Sequence, residues 1–124
     1  METVCERPLA IHHDGHGLNE AIAITTDTPD QSGAAHCYDM HINGRRVATI
    51  QFQKGPRKEE GSTPGATEAA VLAVLIDRFR GFQAGPYSCR ENEIQLTKLE
   101  ETLMWAKART DARAGRGVLG LNVK

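Results

Sequence analysis

The segment that most constrains the fold is a long stretch without helix breakers in the C-terminal half of the chain. Between Pro86 and Gly115 the sequence contains neither glycine nor proline, and Ser88 and Glu91 have the S-x-x-E spacing of a capping box at its start. Apolar residues recur there at helical spacing and form one seam, at Leu96, Leu99, Leu103 and Ala106. The pattern predicts a helix of about 26 residues and ~39 Å. Helical hairpins of this reach usually pack against copies of themselves.

A second helical pattern precedes the long one. Thr63 can cap a helix, Pro64 suits its first position, and the pattern continues to Arg80, where Gly81 is expected to end it. The apolar residues of this pattern wrap around more than one side. We therefore expect the helix to be covered on more than one side.

The N-terminal half predicts a small antiparallel sheet. Residues 21–26 alternate as a strand does, and Asn43-Gly44 separates two further strand patterns. Asn-Gly supplies the two positive-φ positions of a type I′ turn. In the register that this turn sets, Met40 faces Val47, and apolar side chains appear on both faces of the hairpin. So small a chain covers a two-faced hairpin poorly, so we expect a partner subunit to help.

We therefore predict an α+β fold in a single domain, residues 1–124, that forms a homo-oligomer. The small antiparallel β-sheet occupies about 18–53, and the long two-helix hairpin about 63–116. The formal net charge of −1 predicts no DNA or RNA polymer as a partner. No apolar run approaches the ~20 residues of a membrane span, and no leader pattern begins the sequence. The odd number of cysteines, three, is typical of reduced thiols in the cytoplasm.

The segment IHHDGHG contains four potential metal ligands, at His12, His13, Asp14 and His16. Their spacing does not suit one helix, and a tight glycine-containing loop rarely closes a tetrahedral site alone. We therefore expect no metal and no cofactor, and interpret the segment as a polar stretch leading into a strand. The alternative is a metal site completed by Asp39 or His41. No nucleophile-elbow, zinc-protease or phosphate-loop motif occurs, so the sequence predicts no catalytic residue.

The stretch GFQAGPYSCRENE, residues 81–93, is richer than a turn between two helices requires. Phe82 and Tyr87 supply rings that stack on a nucleobase, and the Asn92 amide can read the edge of a base. Arg90, with the N–H groups at a helix start, can bind phosphate. A structural role, in which the rings cover the core and Gly85-Pro86 forms a turn, explains the same composition.

Basic residues cluster in the last turns of the long helix: Lys107, Arg109, Arg113 and Arg116. They complement the helix dipole, or they bind a ligand. Asn92 and Arg109 lie 17 positions apart, hence ~25 Å, which is far longer than a cyclic nucleotide. One chain cannot apply both ends of its helix to such a ligand, whereas two antiparallel helices of neighbouring subunits can. A site that uses both ends therefore lies between chains.

Four patterns carry a resemblance to a known family. F-Q-x-G-P spans Phe52 to Pro56, and D-R-F-x-x-F-Q-x-G-P-Y-x-C-R-E-N spans Asp77 to Asn92. W-x-x-x-R-T and R-G-V-x-G begin at Trp105 and Arg116. From about His36 to Gly120, the chain resembles the phage family of Thoeris anti-defence proteins. Its helical part resembles the hairpin domain that this family shares with phage anti-CBASS proteins.

The resemblance implies a molecular sponge, which holds cyclic messengers of bacterial immune enzymes without degrading them. The family's ligands are glycocyclic ADP-ribose isomers and, in some members, cyclic di- and trinucleotides, and its assemblies are symmetric homo-oligomers, typically hexamers. It implies action in the cytoplasm of the infected bacterial host. Carried over residue by residue, the resemblance implies that Phe82 stacks on a base and that Asn92 and Arg109 make polar contacts with the ligand. It implies three further ligand residues: Arg90, Thr110 and Arg113.

Arg57 and Lys58 follow Gly55-Pro56, where the family pattern is more often apolar. Three copies of this pair near a symmetry axis would suit a second, trianionic cyclic-oligonucleotide ligand; the alternative is a solvated linker balanced by neighbouring glutamates. Two rival functions remain at this stage. One is a metal-dependent enzyme that degrades the messengers, and the other is a structural phage accessory protein.

Overall fold

The computed structural model describes residues 5–56, 58–121 and 124. The chain divides into two compact units, Met1–Lys54 and Gly55–Lys124. The first unit carries an antiparallel sheet and the second carries two helices, which confirms the α+β class. The prediction that 1–124 forms one domain stays a prediction.

The first unit is a four-stranded meander in the order β1-β2-β3-β4. Each strand pairs antiparallel with the next one in the chain. The strands are β1 (Arg7–Leu9), β2 (Ile22–Thr26), β3 (Cys37–Ile42) and β4 (Arg45–Gln51).

The turn between β3 and β4 has the predicted conformation. Asn43 and Gly44 have φ values of 50° and 76°. These are the two left-handed positions of a type I′ turn, which asparagine and glycine tolerate best. Ile42 pairs directly with Arg45, so the hairpin begins in the expected register.

The register changes at a β-bulge directly after the second residue pair of the hairpin. His41 still pairs with Arg46, but Met40 pairs with Ala48 and not with Val47, which is the extra residue. A shift of one residue turns every later side chain of the strand to the opposite face. The predicted pairing of Met40 with Val47 is therefore wrong.

As a result, the sheet has one apolar face. Cross-strand partners share a face, so the pairs place eight side chains together: Leu9, Ile22, Ile24, Tyr38, Met40, Ile42, Ala48 and Ile50. The other face carries Asp39, which is buried and accepts a hydrogen bond from Thr49 Oγ1 at 2.7 Å. The prediction of two apolar faces is wrong because a two-residue turn does not reveal a bulge further along the strand.

The segment joining β2 to β3 is closed around a buried carboxylate. Asp27 Oδ1 accepts hydrogen bonds from the backbone N–H groups of His36, at 2.9 Å, and Cys37, at 3.2 Å. Burial raises the pKa of Asp27, but these hydrogen bonds outweigh it, so the pKa lies below its usual value. The His36 ring lies 2.8 Å from Asp30 Oδ2, which fixes the loop from its other side.

In the second unit, helix α1 (Glu68–Ala84) is displaced from its predicted bounds. Thr67 is the N-cap, and its side-chain oxygen accepts from Ala70 N at 3.1 Å, so the predicted start at Pro64 is wrong. Gly81 does not end the helix. A glycine inside a helix costs only ~1 kcal/mol relative to alanine, and the helix continues for one more turn.

Helix α2 (Arg90–Gly115) has the predicted length of 26 residues. Its N-cap is Cys89, and among the described residues the cap side chain makes no capping hydrogen bond. The capping box predicted at Ser88 is therefore wrong. The described helices include none that is long and apolar enough to cross a membrane.

The two helices pack along the predicted seam and leave their outer sides exposed. The seam residues Leu96, Leu99, Leu103 and Ala106 are half-buried. Ile76 of α1 is only 3% exposed, whereas α2 has no buried residue among those described. Large apolar side chains face solvent, with Val74 69%, Met104 57% and Trp105 65% exposed.

Candidate ligand-binding site

The loop end of the hairpin brings together three of the predicted ligand residues. Phe82 lies in the last turn of α1, Arg90 is the first residue of α2, and Asn92 lies two positions later. Because α1 extends to Ala84, the Phe82 ring is carried by helical backbone and not by a flexible loop.

Two neighbours on α1 contact the ring of Phe82. Phe79 meets it edge to face, with 6.1 Å between the ring centroids. The guanidinium carbon of Arg78 lies over the ring, 4.9 Å from its centroid, which is a cation–π contact. Sequence reasoning missed Arg78, although its i, i+4 spacing from Phe82 on a helix indicates such a pair.

Gln83 joins the end of α1 to the start of α2. Its Oε1 accepts from Cys89 N at 3.1 Å, and its Nε2 donates to Cys89 O at 3.2 Å. Nε2 also donates to Glu93 Oε2 at 3.0 Å. These contacts fix the start of α2, which is the role that was predicted for the capping box. Sequence reasoning missed them, because nothing in the local pattern says which backbone groups a glutamine will meet.

The first turn of α2 carries groups of both charges. Arg90 is exposed, and Asn92 is half-buried, with its Oδ1 accepting from Gln95 Nε2 at 3.3 Å. Glu91 and Glu93 complement the positive end of the helix dipole. The loop end therefore offers a ring, an amide and a guanidinium, which suit a base and a phosphate of one nucleotide.

The other predicted ligand residues lie at the far end of α2. Arg109 and Thr110 are exposed, and Thr110 Oγ1 donates to Ala106 O at 3.1 Å. Arg113 donates to the carbonyl oxygens of Val118, at 3.0 Å, and Leu121, at 2.8 Å. At 1.5 Å per residue, α2 separates Asn92 from Arg109 by ~25 Å within one chain.

Of the predicted second site, Arg57 lies outside the described residues. Lys58 is tied to the segment after α2, because its N–H donates to Gly120 O at 3.1 Å. A Cβ added to Gly120 would lie 2.8 Å from Lys58 Cγ, so the lysine stem crosses the glycine closely. These contacts hold Lys58 against the turn after α2.

The histidine-rich segment is organised as a loop around a glutamate. Glu20 accepts from the backbone N–H groups of Gly15, at 3.0 Å, and Gly17, at 2.6 Å, and these hydrogen bonds lower its pKa to about 2. His12 Nε2 lies 2.7 Å from the carbonyl oxygen of Ile22, and Asp14 accepts from Asn19. Within residues 5–56, 58–121 and 124, no three His, Cys, Asp or Glu side chains gather as metal ligands would.

An open groove of about 480 Å³ runs along the hairpin between Arg80 and the middle of α2. Arg80 forms an exposed ion pair with Glu100 at 2.8 Å across it. Lys107 and Asp111 line the same groove, so it presents charges of both signs and does not favour an anion. None of the predicted ligand residues lines it.

Comparison with known proteins finds a family match that runs from the start of β4 through most of α2. The family model described as "Acb2/Tad1, hairpin domain" matches residues 45–111. A curated relative, "Thoeris anti-defense 1" of Bacillus phage SBSphiJ7, is 43% identical over 79 residues, which is 64% of this chain and 55% of the relative. The chain thus spans about half the length of that relative. The family match includes Phe82, Asn92 and Arg109, but neither the histidine-rich loop nor the turn after α2.

Proposed function

The chain belongs to the Acb2/Tad1 hairpin family, and we propose that it is a non-catalytic sponge for cyclic nucleotide immune signals. The relative named for Thoeris anti-defence supports a role against bacterial anti-phage defence. The proposed ligands are glycocyclic ADP-ribose isomers, with cyclic di- and trinucleotides as a second class that would extend the role to CBASS. The proposed place of action is the cytoplasm of the infected host.

One observation carries this proposal. Phe82, Arg90 and Asn92 lie at one end of the hairpin, inside the segment that the family model matches. A ring, a guanidinium and an amide on two helix ends can stack a base, pair with a phosphate and read a base edge. No bond-breaking chemistry is required of any of them.

We propose that the complete site lies between subunits of a homo-oligomer, for which a hexamer is expected from the family resemblance. Arg109 and Thr110 reach a ligand at the loop end only from a second chain, since ~25 Å of helix separates them from Asn92. The exposed Met104 and Trp105 favour such an assembly, because large apolar side chains that lie exposed together mark interaction surfaces.

The function sets the affinity. A sponge must hold free messenger below the concentration that activates the defence effector, so nanomolar binding, about −12 kcal/mol, is expected. Stacking contributes ~1–3 kcal/mol per base, and charge-assisted hydrogen bonds add to it. A preformed pocket keeps the ordering cost of binding low.

For the second site we propose Arg57 and Lys58, which would bind a trianionic cyclic oligonucleotide near a symmetry axis. The hydrogen bond from Lys58 N to Gly120 O, at 3.1 Å, supports the part of this proposal that concerns Lys58, because it holds that residue against the turn after α2. Glu59 and Glu60 are the neighbours that a solvated linker would use instead.

A release assay tests the proposal. Excess protein is mixed with glycocyclic ADP-ribose and removed by filtration, and the filtrate is assayed for messenger. The retained protein is then heated, and the released compound is identified by mass spectrometry. A sponge depletes the filtrate and returns the messenger unchanged. When the assay is repeated with protein near the Kd of the unsubstituted chain, Phe82→Ala weakens the depletion.

Other outcomes identify the rivals. Depletion followed by a new product indicates an enzyme and directs attention to the histidine-rich loop. A filtrate that keeps all of the glycocyclic ADP-ribose and all of a cyclic trinucleotide contradicts the sponge and favours a structural accessory protein. In that case Arg109→Ala would leave the anti-defence phenotype unchanged.

A further inference from the structure

We infer that Gln83 is a positioning residue of the proposed ligand site, an inference that rests on the proposed function. Gln83 does not itself supply a ring or a charge to the ligand. It joins the two helix ends on which Phe82, Arg90 and Asn92 stand.

Within the described residues, the Gln83 side chain makes three hydrogen bonds, all of them to Cys89 and Glu93. One amide contacts both backbone groups of Cys89, accepting from its N–H and donating to its carbonyl oxygen, which also accepts from Glu93 N at 3.1 Å. The second hydrogen on Nε2 reaches Glu93 Oε2 at 3.0 Å. The three distances, between 3.0 and 3.2 Å, are those of ordinary hydrogen bonds.

Each partner of Gln83 is next to a predicted ligand residue. Phe82 precedes it on α1, Arg90 follows Cys89, and Asn92 precedes Glu93. The amide therefore fixes the distance between the ring on one helix and the guanidinium and amide on the other. Two backbone hydrogen bonds also lie here, from Gly85 N to Phe82 O at 3.2 Å and from Glu93 N to Cys89 O at 3.1 Å, but each belongs to one helix end and does not join α1 to α2.

Without the Gln83 contacts, the loop between α1 and α2 could adopt several arrangements. Gly85-Pro86 separates the helices, and Tyr87 at the loop tip is 74% exposed. If only the loop arrangement with the Gln83 contacts binds the ligand, the apparent affinity is proportional to the fraction of molecules in that arrangement. A variant that lowers this fraction therefore lowers the apparent affinity by the same factor. A fall of that fraction to about one tenth raises the apparent Kd tenfold.

Gln83→Glu is the sharpest variant, because it has the same shape and still accepts from Cys89 N. Its second oxygen cannot donate to Cys89 O, and it repels Glu93. At pH 7.5 we expect the Kd for glycocyclic ADP-ribose, measured by calorimetry, to rise about tenfold. Protonation of the new carboxyl restores a donor, so the loss should shrink as the pH falls to 5. Gln83→Ala has no such group, and its loss should stay constant with pH.

Two matched variants separate the contacts. Glu93→Ala removes the third bond and one acidic charge of the first turn of α2, and should change the Kd less than threefold. Gln83→Glu combined with Glu93→Gln reverses donor and acceptor between the side chains, and should recover part of the affinity at pH 7.5. Backbone amide exchange at Cys89, measured without ligand, should be faster in Gln83→Ala than in the unsubstituted protein, because this variant removes the acceptor of Cys89 N–H.

The outcomes separate the two proposals. If Gln83→Ala speeds exchange at Cys89 but binds within twofold of the unsubstituted protein, Gln83 is structural and the inference is wrong, while the proposed function stands on Phe82→Ala. If neither Phe82→Ala nor Gln83→Glu alters binding, the proposed site is wrong and the inference falls with it. An equal loss for Gln83→Glu at pH 7.5 and pH 5 also contradicts the inference.

Discussion

The two ends of the helical hairpin hold their predicted ligand residues in different ways. At the loop end the bonds to the backbone come from Gln83, and Arg90 is left exposed. At the far end Arg113, itself a predicted ligand residue, donates to the carbonyl oxygens of Val118 and Leu121. Its neighbour Arg109 is exposed.

This difference shows that the predicted ligand residues and their neighbours divide into two kinds. Some present a ring or a charge to solvent, and others hold the backbone that carries the first kind. The two kinds are separated by measurement, because loss of a ligand contact lowers affinity at unchanged stability. Loss of a backbone contact lowers the free energy of unfolding first.

The largest expected effect is that of Phe82→Ala at the loop end. Base stacking on an aromatic ring contributes ~1–3 kcal/mol, so we expect the Kd for glycocyclic ADP-ribose to rise about thirtyfold. Phe82→Leu keeps an apolar side chain of similar size without the aromatic face, and should lose nearly as much. Calorimetry measures both variants. Full affinity in Phe82→Leu would mean that the ring only fills space against Phe79.

At the far end, Arg109→Ala and Arg113→Ala should show opposite signatures. Arg109→Ala removes an exposed charge, so we expect a Kd about tenfold higher with an unchanged melting temperature. Arg113→Ala removes a donor from the carbonyl oxygen of Leu121 and one of two donors from that of Val118, which still accepts from Leu121 N at 3.1 Å, and should lower the free energy of unfolding by about 1–2 kcal/mol. Its Kd should change less than threefold. Denaturant titration at fixed protein concentration measures stability.

The comparison fails at the far end if Arg113→Ala loses affinity tenfold and keeps full stability. Arg113 would then be a ligand contact, as the family resemblance implies, and its bonds to the backbone would form only without ligand.

Features set by local chemistry could be predicted from the sequence. The turn at Asn43-Gly44, the length of α2 and the seam that includes Leu99 all follow from short-range patterns. The sequence neighbourhood of Phe82, Arg90 and Asn92 likewise sufficed to place them at one end of a hairpin.

Features that depend on a choice between two similar local structures could not be predicted from the sequence. Val47 becomes a bulge residue although nothing beside the turn marks it, and this reverses the faces of the strand. Thr67 caps α1 although Thr63 is followed by a favourable proline. The roles of Gln83 and Arg113 depend on backbone groups that only the folded chain brings near.

A smaller effect is expected where the turn after α2 meets the linker. Gly117 and Gly120 have φ values of 74° and 79°, so alanine is strained similarly at both, by about 1 kcal/mol. Only at Gly120 would the new Cβ meet the Lys58 stem. Gly120→Ala should therefore weaken binding of a cyclic trinucleotide about threefold, whereas Gly117→Ala should not. Lys58→Ala sets the upper limit of this effect, and equal affinities in the two alanine variants would remove Gly120 from the second site.

An effect of similar size is expected for the cation over the Phe82 ring. Arg78 lies 4.9 Å from the ring centroid, and an exposed cation–π contact contributes ~0.5–1 kcal/mol. If Arg78 holds the ring for a base on the opposite face, Arg78→Ala should raise the Kd about threefold, and Arg78→Lys should recover part of this. Calorimetry under the conditions used for Phe82→Ala measures both. Tighter binding in Arg78→Ala would reverse the assignment, because the guanidinium would then occupy the face that the base requires.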